Sequence, residues 1–156
     1  MVGTNIKHIM NQMTIQTIGH DKINQLRHAN YFGTYDNIIA HMRKHAEILK
    51  PKFDCVIRLF EEELKDCGIL EWSNPKGGYF ISVDTTYNCA SEVVDLAKNC
   101  GVLFTAAGST FPYGKDPMDS NIRIAPSLPP VEELEKAMEV LTTAMKLSAL
   151  EKLLNQ

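Results

Sequence analysis

Arg123, one of only four arginines in the chain, lies in the short run Asn121-Ile-Arg-Ile-Ala125. Period two in this run puts Ile122 and Ile124 on one strand face and the guanidinium on the other. A guanidinium held on a rigid strand offers the planar two-donor fork that a carboxylate accepts bidentately. The same placement would serve an ion pair with an Asp or Glu of this chain on a solvated sheet face. Spacing alone leaves both readings open.

Other residues carry weaker chemical signals. Gly77 and Gly78, after Asn74-Pro75, permit either a plain turn into a strand or a close backbone approach by a ligand, and the turn is favoured. His41 and His45 are spaced i, i+4, as two metal-ligating imidazoles on one helix face would be. No Glu follows His41 in the zinc-protease manner, and the favoured reading is a solvated face with no metal. Cys55, Cys67, Cys89 and Cys100 form no C-x-x-C pair and read as reduced cytosolic thiols. No Walker loop, G-x-G-x-x-G, G-x-S-x-G or paired-carboxylate motif occurs, so nucleotide-binding and hydrolase readings have no support.

Several elements must position these groups. Residues 4–16 and 21–32 read as two short helices separated by Gly19, with Asp21 as an N-cap. From 35 to about 65, Ile38, Ile39, Met42, Leu49, Phe53, Val56, Ile57, Phe60 and Leu64 recur at three- and four-residue steps, which predicts one long helix with a kink at Pro51. Lys65-Asp-Cys-Gly-Ile-Leu70 and Lys98-Asn-Cys-Gly-Val-Leu103 each read as a glycine-capped helix end leading into a strand. Residues 78–84 alternate as a half-buried strand, with Tyr79, Ile81 and Val83 on one face. Strands are also expected at 102–105 and 122–125, a short helix at 91–99, and a final helix at 130–153 with Leu134, Met138, Leu141 and Met145 inward. Residues 106–121 make a long aperiodic loop whose Phe111 and Tyr113 favour a functional role over a linker. The order implies an α/β fold: a small mixed, mostly antiparallel sheet covered by helices on one face.

The 156 residues, with 44% apolar and 22% charged side chains, suit one soluble globular domain. Its net charge of -3, with no basic stripe, argues against nucleic acid as a partner. No stretch approaches the roughly 20 apolar residues that span a bilayer, so no membrane partner is expected.

The segments Asn74-Pro-Lys-Gly-Gly-Tyr-Phe-Ile-Ser-Val83, Ala97-Lys-Asn-Cys-Gly-Val102, Gly108-Ser-Thr-Phe-Pro112, Asn121-Ile-Arg-Ile-Ala-Pro-Ser127 and a Pro-Pro-x-Glu-Glu-Leu helix start occur in this order. Together they resemble the C-terminal small domain of class I/II, fold-type-I pyridoxal-phosphate aminotransferases. Ile18-Gly-His-Asp-Lys-Ile-Asn-Gln-Leu-Arg-His28 and Met42-Arg-Lys-His-Ala-Glu-Ile-Leu-Lys-Pro-Lys-Phe53 resemble the bacterial aspartate aminotransferase subgroup related to MocR aminotransferase modules.

The resemblance implies that 1–34 is the end of a large domain and that 35–156 is the small domain, with 35–66 as a long interdomain helix. It implies that Arg123 binds the substrate α-carboxylate, that Tyr79 and Phe80 lie near the substrate entrance, and that the loop at 108–113 borders the active site. It also implies amino-acid and 2-oxo-acid substrates, pyridoxal 5'-phosphate in a longer parent, a cytoplasmic setting and a homodimer. The family's Schiff-base lysine context and phosphate-binding groups do not occur in these residues. No catalytic or cofactor-binding residue is therefore assigned here, and this chain by itself is expected to bind no cofactor and to be inactive. The alternative function is a non-catalytic ligand-sensing domain of a MocR-type regulator. Association is expected through Ile6, Ile9, Met10, Met13 and Ile15 or the outer half of the long helix, against another copy of the chain.

Overall fold

The computed structural model describes residues 2–17 and 19–155; Met1, Ile18 and Gln156 lie outside the described residues. The chain divides into two compact units, Met1–His45 and Ala46–Gln156. Their boundary falls inside the long helix expected from 35 onward.

The first unit holds α1 (Val2–Gln16), α2 (Lys22–Phe32) and the start of α3 (Tyr35–Glu63). Asp21 caps α2 as its residue type predicts, accepting from the Asn24 N–H at 2.9 Å. None of this unit's described residues is buried. Ile6, Ile9, Met10, Met13 and Ile15 are all exposed, Ile15 at 80%. Helices with no buried face gain little from packing, and helices of this length are marginal on propensity alone.

The second unit carries the core. The helix α3 continues unbroken through Pro51 and contributes Val56, Leu59 and Phe60, all buried. Three strands follow in sheet order: β1 (Leu70–Trp72), β2 (Ile81–Thr85) and β3 (Asn121–Ile124). Between the last two lies α4 (Ala90–Asn99), and α5 (Val131–Leu154) closes the chain. Both strand pairings are antiparallel, with Trp72 opposite Val83, Ile81 opposite Ile124, and Ser82 opposite Arg123. One sheet face, with Ile81, Val83, Ile122 and Ile124, is sealed by Phe60, Met138, Leu141 and Met145 from the helices. Phe60 and Trp72 pack in a tilted arrangement, 5.5 Å between ring centroids and 48° between ring planes. Pro130 stands at the N-cap of α5 and Glu132 and Glu133 in its first turn, where the missing N–H costs nothing and the helix dipole favours the acids.

Two expectations need correction. Residues 102–105 form no strand: Leu103 is 79% exposed, and the backbone bond recorded there, Val102 N–H to Ala97 O at 2.9 Å, only closes the helix end. An extended apolar run becomes a strand only where a free edge is presented to it. The sheet among the described residues is thus three-stranded and wholly antiparallel. In addition, β2 starts at Ile81 and not at 78, because Gly78 sits at φ 94 and the chain bends through Tyr79. Tyr79 consequently drops out of the alternation and is 56% exposed. The repeated Cys-Gly helix ends do share one conformation, with Gly68 at φ 63 and Gly101 at φ 87, although only the first leads into a strand.

All four cysteines are free thiols, Cys55 and Cys89 buried, Cys67 and Cys100 exposed. Burial pushes the Cys55 and Cys89 thiols above the usual range, with Glu135 and Glu92 adding to it. A disulfide-exchange reagent at mildly alkaline pH should therefore modify Cys67 and Cys100 rapidly in the native protein. Cys55 and Cys89 should react only on unfolding, which mass mapping of the modified peptides will check.

Candidate functional site

The sheet face opposite the core carries, by register, Glu71, Ser82, Asp84, Asn121 and Arg123. With Ile122 and Ile124 buried at 1% and 2%, the β3 backbone is fixed and Arg123 has only the outer face to occupy. Its guanidinium carbon stands over the Phe80 ring, 4.3 Å from the centroid, a cation–π contact. Its Nε is buried without any hydrogen-bond partner. None of the six ion pairs among the described residues includes Arg123. Of the two readings of its spacing, the ion pair within the chain is not made. Phe80, bordering β2, is brought to Arg123; Tyr79 has no part in that contact.

Beside Arg123 lies a polar junction that the sequence reading did not single out. Asn121 is only 8% exposed. Its side-chain amide donates to Ser82 Oγ at 2.9 Å and Asp84 Oδ1 at 2.8 Å, while its Oδ1 accepts from Thr110 Oγ1 at 2.8 Å. One side chain thus binds the sheet to the long loop two residues from the guanidinium. Asp116 orders the other end of that loop, accepting from the N–H groups of Met118, Ser120 and Asn121 at 2.8–2.9 Å. Asp119 then caps α4 from a distance: its Oδ1 accepts from Ser91 N–H at 3.0 Å and Ser91 Oγ–H at 2.6 Å, and its carbonyl accepts from Ala90 N–H. The density of Asp, Asn and Ser over 116–121 was the available signal, because these side chains hydrogen-bond nearby backbone in turns. Phe111 and Tyr113 project from this ordered loop, and Tyr113 is 99% exposed at φ 59.

Partial desolvation raises the Asp116 carboxyl, but the N–H bonds from Asn121, Met118 and Ser120 outweigh it and hold the group below the ordinary aspartate range. A depressed folded value means that its stabilisation is complete above the ordinary carboxyl range and is lost as pH falls through the folded value. Asp116→Asn should therefore melt below the native protein at neutral pH. The gap should narrow as the pH is lowered through the carboxyl range, as melting curves over a pH series will test.

A family model described as aspartate amino-transferase matches residues 2–156. The chain belongs to this family. An aspartate aminotransferase of Corynebacterium glutamicum is 49% identical over 137 residues, which covers 88% of this chain and 32% of that protein. The crystal structure of an aspartate transaminase from the same species superposes with a TM-score of 0.83 at 47% identity, covering 94% of this chain and 35% of that one. An α-aminoadipate aminotransferase of Thermus thermophilus, solved with N-(5'-phosphopyridoxyl)-L-leucine, shares the fold at 17% identity and TM-score 0.57, over 65% of this chain and 25% of its own. This chain therefore spans about a third of the length of the aminotransferases it matches. Among its described residues, no helix is long and apolar enough to cross a membrane.

Among the described residues, the outer sheet face holds the Arg123 guanidinium, which makes no ion pair, and no lysine. That set fits a carboxylate. It does not fit pyridoxal phosphate, which needs an amine to anchor its aldehyde and donors for its phosphate.

Proposed function

We propose that this chain is the C-terminal part of a pyridoxal-phosphate aminotransferase that moves an amino group between an amino acid, aspartate foremost, and a 2-oxo acid. In this reading 35–156 is the small domain, 1–34 belongs to the end of the large domain, and the parent acts as a cytoplasmic homodimer. The carrying observation is Arg123: a guanidinium fixed by a buried strand, set over the Phe80 ring, and without an acidic partner among the described residues.

The role we assign to this chain's residues is substrate orientation. Since Arg123 Nε is covered, the terminal Nη edge is the fork that meets the substrate carboxylate. Phe80 lies against the guanidinium, restricting its rotation. The junction at Asn121 holds the loop at 106–120 beside that fork. We assign the lysine and phosphate contacts of the cofactor to the part of the relatives' length that this chain does not span. The electron sink for the amino transfer is the cofactor's own contribution.

The test is the single-turnover half-reaction of the parent enzyme with aspartate, followed through the cofactor's absorbance, in native and Arg123-substituted protein. Equal rates and equal substrate saturation in the two would remove Arg123 from the site.

A further inference from the structure

We propose that His41 and His45 on α3 form a binding site for a late divalent transition metal ion of the zinc, nickel or copper type. The inference is independent of the aminotransferase reading. The two residues are one helical turn apart, so both rings rise from the same face. Their Nε2 atoms stand 3.0 Å apart, with the ring centroids at 4.7 Å and the ring planes at 64°. Two imidazole nitrogens bound to one ion at about 2.0–2.1 Å lie about 3.3 Å apart at a tetrahedral centre and about 2.9 Å apart at adjacent square-planar positions. The observed separation falls between these values, so the two nitrogens are already spaced for one ion with no backbone movement.

Without an ion, one Nε2–H must donate to the other Nε2 to hold this contact. Binding asks only that the donating ring carry its proton on Nδ1 instead. The ring of His41 is also braced: Phe32 and Tyr31 meet it nearly edge-on at 5.3 and 5.9 Å. These edge contacts limit the rotation of the His41 ring before the ion arrives.

Among the described residues no group of three or more His, Cys, Asp or Glu side chains is placed to hold a metal. The pair therefore supplies two ligands and water the others. An open cleft of about 520 Å³ lies on the His41 side of the pair, lined also by Asn24, Arg27, His28, Tyr31 and Phe32. Neutral imidazoles without a carboxylate favour nitrogen-seeking ions over magnesium or calcium.

The experiment is calorimetric titration with Zn²⁺ of the chain carrying Cys67→Ser and Cys100→Ser, so that exposed thiols cannot compete. We expect saturable binding of one ion per chain, weakened at least about tenfold by His41→Asn and again by His45→Gln, and unchanged by His20→Gln. Side-chain NMR of the histidines should show Zn²⁺ perturbing the Nε2 resonances of His41 and His45. Circular dichroism of each variant will confirm that helix content is retained. Absence of saturable binding at millimolar Zn²⁺, equal affinity in either histidine variant, or perturbation centred on other histidines would overturn the site.

Discussion

Replacing Arg123 by Lys in the parent aminotransferase is expected to slow the amino-acid half-reaction about ten- to hundredfold while leaving the fold intact. The substitution keeps the charge but removes the planar pair of donors, and an ammonium is a poorer partner than a guanidinium for the face of the Phe80 ring. A charge-assisted hydrogen bond is worth roughly 1.5–3 kcal/mol, which sets the range. Folding should change little, because Ile122 and Ile124 anchor the strand and no ion pair among the described residues is broken. Cofactor absorbance should also be unchanged, since the outer sheet face has no group that fits the cofactor. A role in folding alone would give the opposite pattern, a lower melting temperature with substrate saturation intact. Measuring the half-reaction and the melting curve on the same preparation separates the two.

Why Arg123 could be read from sequence and its surroundings could not follows from the range of each signal. The alternation Ile122-Arg123-Ile124 is local, and the core settles it as period two requires. The long helix and the inward face of α5 were equally legible, because Phe60, Leu64, Met138 and Met145 repeat at helical spacing over many turns. The strand expected at 102–105 had the right residues but depended on a sheet edge elsewhere, which no local pattern reports. The same limit hid Asn121. Its partners Ser82 and Asp84 are 39 and 37 residues away, so nothing within a reading window marks it as a junction. The family resemblance offers a role for Arg123, which remains a proposal, because it compares order and spacing over the whole chain. It carried no information on whether the guanidinium would find an acid within the chain; the ion pairs among the described residues, none of which includes Arg123, supplied that.

Gly108→Ala should destabilise the chain by about 2–4 kcal/mol in urea unfolding, a large effect for one added methyl group. Gly108 lies at φ 78, a conformation that L side chains rarely adopt, and a left-handed backbone costs an alanine roughly 1–2 kcal/mol. The added Cβ would also stand 2.7 Å from the Gly114 carbonyl oxygen and 3.1 Å from the Asp116 nitrogen. Both are backbone atoms, so the clash is relieved only by moving the loop. Asp116 and Asn121 resist that movement, because their hydrogen bonds tie this loop to itself and to the outer sheet face. Strain at Gly108 should therefore reach Thr110 and Asn121, next to Arg123, rather than dissipate in solvent. If Arg123 binds the substrate carboxylate as proposed, the variant should raise the amino-acid concentration needed for half-saturation in the parent enzyme more than it lowers the limiting rate. Gly114→Ala is the control: it too lies at positive φ, at 67, but its Cβ would meet nothing within 4 Å. It should show the backbone cost alone, about 1–2 kcal/mol, with substrate saturation unchanged. Equal losses in the two variants would mean that the close approach of Gly108 to Gly114 does not shape the loop.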